Sequence, residues 1–266
     1  MGLKSKVLAI AASLTLAGSA GLAGALTSPG SAQAATPSCG TSCIDIFSKD
    51  FGTFHDPLFV LDVFKQKNAV GTKIILFRES NSDPAEDFTV SDQGTVSDFY
   101  AAGLVSAALD LHYGSGIGLP GVPVTGNGFP DEFAFEEQYA PFGVDSGLCV
   151  GVASTAVSGE GLTLQSCGVS SKTVWVVDTL DSCPTANPLY SEEAPVINGS
   201  DTNFSEPFVA TYPADGYPTD ADRPQLTVTN LSGFSQTGNN LACGHGSISG
   251  PNSNQLWAAY GTGVLP

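Results

Sequence analysis

Gly147-Leu-Cys-Val-Gly-Val-Ala153, then Gly161-Leu-Thr-Leu-Gln-Ser-Cys167, then Thr173-Val-Trp175 is the stretch on which the fold turns. The first two segments alternate as half-buried strands do, and each carries a cysteine. The two cysteines stand eighteen residues apart, and a tryptophan closes the unit. The pattern reads as one lobe of a disulfide-pinned, three-lobed β fold.

Weaker echoes flank it. Val60-Leu-Asp-Val63, Gly71-Thr-Lys-Ile-Ile-Leu-Phe77 and Glu86-Asp-Phe88 repeat the order on the N-terminal side. Phe208-Val-Ala-Thr211, Gln225-Leu-Thr-Val-Thr229 and Gln255-Leu-Trp257 repeat it on the other. One hairpin-rich unit cannot bury its apolar face alone, whereas three around a pseudo-threefold axis can close a small barrel with few free edges. The other apolar runs are also short, rich in β-formers and bounded by turn residues, as expected with 31 Gly and 17 Pro. One segment differs. Ser97 to Leu111 suits a helix capped by Ser97 with Tyr100, Leu104, Ala107 and Ala108 on its apolar face, although Ala108 to Tyr113 could equally alternate as a strand.

The chain begins with a basic n-region (Lys4, Lys6), an apolar run from Val7 to Leu26 and a small-residue Ala32-Gln-Ala34 site. This reads as a secretory signal peptide over residues 1–34, cleaved after Ala34, and the expectation is a secreted, extracellular product. An uncleaved anchor is the competing reading of the apolar run. Removing 34 of 266 residues leaves 232, one large domain with insertions. Loss of Lys4 and Lys6 moves the formal charge from −17 to −19. So acidic a chain repels phosphate backbones and anionic lipid, so neither nucleic acid nor membrane is expected as a partner.

All six cysteines follow the leader, and in an exported chain they are expected in disulfides. Six cysteines allow fifteen pairings, among which sequence alone does not choose. The expectation is Cys149 with Cys167, Cys39 with Cys43 and, by elimination, Cys183 with Cys243. A zinc site would need two close Cys/His sets, and only Cys39/Cys43 and Cys243/His245 come near one. No metal or cofactor is expected.

The Gly-x-Cys-Val lead, the Leu-x-Leu-x-x-Cys second strand at 162–167 and the Gln-x-Trp closure at 255–257 resemble the ricin-type β-trefoil lectin family. The resemblance implies an all-β, β-trefoil fold with long loop insertions. The closing aromatics at 88, 175 and 257 are 87 and 82 residues apart, well beyond an ordinary trefoil lobe, which puts the insertions near 97–132, 178–206 and 231–254. In that family a lobe can hold a shallow sugar site: a carboxylate on the leading strand, a ring on the second strand and an amide near the closure. Only the first lobe has those residue types, in Asp62, Phe77 and Asn81, with Glu86 and Asp87 nearby. Sugars present paired hydroxyls to such acceptors and C–H patches to rings. The plainer reading makes Asp62 the wet face of an alternating strand and Phe77 core. In the first lobe Val60 and Glu79 stand where the cysteine pair would be. Gly151 and Gln165 replace carboxylate and ring in the middle lobe, and Thr211 replaces the carboxylate in the third.

Catalytic readings are thin. Glu136 and Glu137 are neighbours, so on a strand they face opposite ways and cannot share a substrate; Asp131 and Glu132 have the same defect. No Gly-x-Ser-x-Gly elbow surrounds a serine, no phosphate-cradling loop appears, and Cys243-Gly-His245 lies in a Gly-rich stretch. Asn198, Asn203 and Asn230 head Asn-x-Ser triplets that a glycosylating host could use. The expected function is non-catalytic binding of carbohydrate or a cell-wall glycan. The alternatives are a protein-binding module, such as a trefoil-type protease inhibitor using its long loops, and a structural cell-surface protein with no small ligand.

Overall fold

The structure is a computed structural model that describes residues 43–48, 52–53, 56–57, 59–80, 82–114, 132–177, 194–202, 207–213, 223–231 and 253–260. The leader and Cys39, Cys183 and Cys243 lie outside the described residues, as does most of the 231–254 stretch. The first lobe contains β1 (Asp45–Ser48), a two-residue ribbon of β2 (Gly52–Thr53) and β3 (Asp56–Pro57), then β4 (Phe59–Val63), β5 (Ile74–Arg78) and β6 (Phe88–Thr95). The middle lobe contains β7 (Phe133–Tyr139), β8 (Leu148–Gly151), β9 (Thr163–Ser166) and β10 (Val174–Val177). The third contains β11 (Val196–Asn198), β12 (Phe208–Thr211), β13 (Thr227–Asn230) and β14 (Trp257–Tyr260).

Six strands, the first and last of each lobe, form a closed ring. β6 pairs with β7, β7 with β10, β10 with β11, and β14 with β1, all antiparallel. The bridges Ile44–Phe88 and Ala194–Trp257 close the two remaining seams. Over one end lie three hairpins, β4–β5, β8–β9 and β12–β13. Their second strands meet in a cycle through the bridges Lys73–Thr163, Gly161–Thr227 and Ile75–Gln225. The fold is a β-trefoil.

The closing aromatics are equivalent. Phe88, Trp175 and Trp257 pair with Ile44, Phe135 and Ala194, each of which stands three residues before the residue that pairs with its lobe's leading strand, Phe47, Gln138 or Ile197. The Trp175 indole N–H donates to the Val150 carbonyl (2.9 Å), and that of Trp257 donates to the Ala210 carbonyl (2.8 Å). Register then aligns Val60, Cys149 and Val209, so the third leading strand runs one residue later than the sequence echo placed it. It also aligns Asp62 with Gly151 and Thr211, and Phe77 with Gln165 and Thr229.

The segment near 97–132 begins with two short helices, α1 (Val96–Ala101) and α2 (Ala107–Tyr113). The expected cap is corrected: Thr95, not Ser97, caps α1, in a capping box with Asp98. Ser97 instead donates to the Asp110 carboxylate, and Ser106 caps α2. Gly103, at φ +77°, occupies the left-handed turn between the helices. Val96, Phe99, Leu109 and Tyr113 pack on Ala134, Val174, Val176 and Ile197, which is the outer face of the ring. The stretch near 178–206 also supplies a ring strand, β11.

Candidate functional site

The middle lobe is fastened covalently. Cys149 and Cys167 form the expected disulfide (S–S 2.04 Å) between β8 and the end of the second hairpin. Cys43 is disulfide-bonded as well, to a residue outside the described ones. Beside the bridge, the Glu136 carboxylate accepts from the Gly168 amide (2.9 Å to each oxygen) and from the Thr173 hydroxyl, which ties the 167–173 turn to β7.

The first lobe has carboxylates in the same places. Asp45 aligns with Glu136, while Val60 and Glu79 align with the two cysteines. Asp62, next to last in β4, is 4% exposed, so it is not on the wet face of an ordinary strand. A one-turn helix, Pro84–Glu86, brings two more acids to it. Its N-cap is Asp83, whose Oδ1 accepts from the Ala85 amide (2.9 Å) and from Gln66 Nε2 (3.0 Å). Gln66 reaches it because Lys65 and Gln66 adopt left-handed φ values of 59° and 54° in the turn after β4. Glu86 is 2% exposed; its Oε2 accepts from the Ser80 amide (2.9 Å) and its Oε1 is buried without a donor. Carboxylate oxygens of Asp62, Asp83 and Glu86 all lie within 4.8 Å of one another.

Burial raises the proton affinity of Asp62, Glu86 and Asp45, and neighbouring acids add to the rise. Burial pushes Asp62 up to about 7, with Asp83 adding to the rise and the Arg223 guanidinium opposing it. Burial takes Glu86 up to about 9 against the pull of the Ser80 amide, and Asp62, Asp83 and Asp45 add to it. Asp45 rises to about 8, through burial first and then Glu79 and Asp87. Tyr139 is pushed up to about 12 by burial first and then by Asp62, Asp87 and Asp83.

Phe77 lies diagonally across the β4–β5 hairpin from Asp62, on the same face, because Asp62 pairs with Ile75 two residues away. The Arg223 guanidinium stacks on the Phe77 ring, 3.8 Å from its centroid. The structure therefore brings Asp62 and Phe77 together, and Asn81 lies outside the described residues. Asp83 and Arg223 were not singled out from sequence. A Ser-Asp-Pro turn start and a lone Arg before a proline are weak signals, and only the threefold closure shows that the third lobe reaches the first. Asn198 is 0% exposed, and its side-chain amide donates to the Lys172 carbonyl, so it cannot accept a glycan in the folded chain.

Glu137 points the other way from Glu136, into the barrel. It is 3% exposed and its Oε1 has no donor, and it faces a cavity of about 30 Å³ lined by Ile46, Leu61, Phe135, Trp175, Val196 and Trp257. Burial raises its proton affinity well above the ordinary glutamate value. Ile46 and Val196 occupy the equivalent positions in the other lobes.

No protein-family model and no curated protein matches the chain. Among solved structures it is similar to a designed 3-fold symmetric protein, ThreeFoil, at 10% identity and a TM-score of 0.45, over 82% of this chain and 98% of that one. It is also similar to a mosquitocidal holotoxin at 12% identity and a TM-score of 0.44. That match covers 84% of this chain but spans only 18% of the holotoxin's length.

Proposed function

We propose that this chain is an exported, non-catalytic carbohydrate-binding protein of ricin-type trefoil kinship, with its sugar site in the first lobe around Asp62 and Phe77. One observation carries the reading. Of the three equivalent leading-strand positions, Asp62, Gly151 and Thr211, only the first bears a carboxylate, and an aromatic ring shares its hairpin face. A carboxylate accepts two hydroxyl donors at once, and a ring covers the C–H face of a pyranose. Arg223, stacked on that ring, supplies N–H donors to sugar oxygens at the same edge. A non-catalytic role is supported by how the strand acids are used. Glu136 holds a turn and Glu137 faces the barrel interior, so they share no cleft.

Retention on a broad glycan array tests this. The wild-type chain binds a subset of glycans, and Phe77→Ala and Asp62→Ala each weaken retention about 10- to 100-fold, the range for losing one charge-assisted bond or stacking contact. Absence of any retained glycan, or full retention by both variants, overturns the reading. Export predicts that the protein recovered from culture medium begins at Ala35, which N-terminal sequencing reads directly.

A further inference from the structure

We propose that Asp62, Asp83 and Glu86 form a calcium site that fastens the first lobe where the middle lobe has its disulfide. Clustered acids alone do not make a cation site. What marks this one is that Glu86, 98% removed from solvent, holds Oε1 among the other carboxylates with no donor, while its Oε2 is anchored by the Ser80 amide. A buried acceptor left without a partner calls for a ligand that can serve it. No hydrogen-bond donor reaches Asp62 among the described residues, and Asp83 is held through Oδ1 alone, by Ala85 and Gln66. Each acid is thus fixed or buried on one side and turned toward a common point on the other.

Charge and donor type define the ligand. Three carboxylates meet there, with Asp45 close enough to act on Glu86. Arg223, a cation near Asp62, is stacked on Phe77. An all-oxygen set without imidazole or thiolate selects a hard divalent ion over zinc. The oxygens lie within 4.8 Å of one another, inside the span of about 5 Å that two ligands bridge across calcium. Across magnesium the span is about 4 Å, and magnesium keeps more of its water and demands octahedral order, which suits a chain-enclosed carboxylate set less well.

The place of the site gives it a role. Asp62 is the penultimate residue of the leading strand, and Asp83 and Glu86 lie in the turn that delivers Phe88 to the core. A cation bridging them joins the two ends of the lobe, as Cys149–Cys167 joins β8 to the end of the second hairpin. The inference shares Asp62 with the carbohydrate reading but does not rest on it.

The test uses the full exported chain, stripped with EDTA, titrated with calcium chloride by calorimetry and with terbium by luminescence sensitised through Tyr139. One saturable site with a dissociation constant of about 10⁻⁴–10⁻³ M is expected, as for extracellular calcium modules, together with a higher melting temperature in calcium than in EDTA. Asp83→Asn and Glu86→Gln weaken binding at least ~10-fold, by removing a charged ligand, and Glu160→Gln, in the middle lobe, leaves it unchanged. Circular dichroism melts show which variants fold. Absence of a saturable site in the wild-type chain overturns the proposal, whatever the variants do. So does equal binding by folded Asp83→Asn and Glu86→Gln, or magnesium binding as tight as calcium. Glycan retention separates the two readings: its absence in calcium with calcium binding intact strikes only the sugar site, and retention in EDTA by a chain without a saturable calcium site strikes only the cation.

Discussion

The first and middle lobes are built on one register and held by opposite means. Where the middle lobe places Cys149, Cys167 and a satisfied Glu136, the first places Val60, Glu79 and the crowded Asp45. Where the middle lobe has Gly151 and Gln165, the first has Asp62 and Phe77. Gly151 is itself a packing choice: a Cβ there would stand 2.5 Å from the Lys172 carbonyl. At these positions the middle lobe has its disulfide, and the first has the carboxylates of Asp62 and Glu79. A threefold scaffold can vary these positions lobe by lobe, because the ring and cap hold all three in place.

The largest effect tests whether the lobes are equivalent at all. Phe88, Trp175 and Trp257 fill the same core position, so truncating each to alanine costs a similar ~3–5 kcal/mol in urea unfolding. Trp175→Phe and Trp257→Phe copy the first lobe's residue and cost about 1 kcal/mol, the bond to Val150 or Ala210. A truncation penalty confined to one lobe would break the equivalence.

A smaller effect sharpens it. Cys149→Ser with Cys167→Ser removes a closed loop of this length and costs about 3 kcal/mol. The converse change grafts the fastening onto the first lobe. Val60→Cys with Glu79→Cys places two thiols at positions that register makes equivalent to 149 and 167, and they cross-link on oxidation. Mass spectrometry before and after reduction reads the bond. Two free thiols under oxidising conditions would show that the first hairpin has departed from the shared geometry.

What could be read from sequence depended on how distinctive the side chains were. Cys149, Cys167, Trp175, Gln255 and Trp257 were legible because each does something few residues can. Gln255, for one, donates to the Asn230 carbonyl and to the Thr229 hydroxyl. β1 and β11 were not recognised as strands, being four and three residues long and containing Asp45 and Asn198, which look like loop residues. Asp62 and Phe77 were paired only through the resemblance to the ricin-type lectins, and register sets them on one hairpin face. The cluster around Asp62 was not, because Asp83 arrives on a single helical turn and Arg223 from a lobe far along the chain. Ser97 misled because Thr95 two residues earlier forms the better box with Asp98.

The smallest effect concerns the position at which the lobes differ inside the barrel. Ile46, Glu137 and Val196 are equivalent, so Glu137→Val restores to the middle lobe what the others have. The variant loses a buried acceptor without a donor and lines the cavity with an apolar wall. A gain of about 1–3 kcal/mol at neutral pH follows, the usual cost of an unsatisfied buried polar group. The gain has a pH signature. Burial raises the folded proton affinity of Glu137 above the ordinary value of about 4.5, so its protonated form is the one the fold favours. Wild-type stability from this group is fully present below about 4.5 and is lost as the pH climbs from there toward the raised folded value. The other buried acids titrate in both proteins, so the difference between the two isolates Glu137. Urea midpoints of wild type and Glu137→Val therefore converge in acid and separate as the pH rises. A constant gap across that range would mean the carboxyl finds a partner in solution, and the lobes would then differ at this position in shape alone.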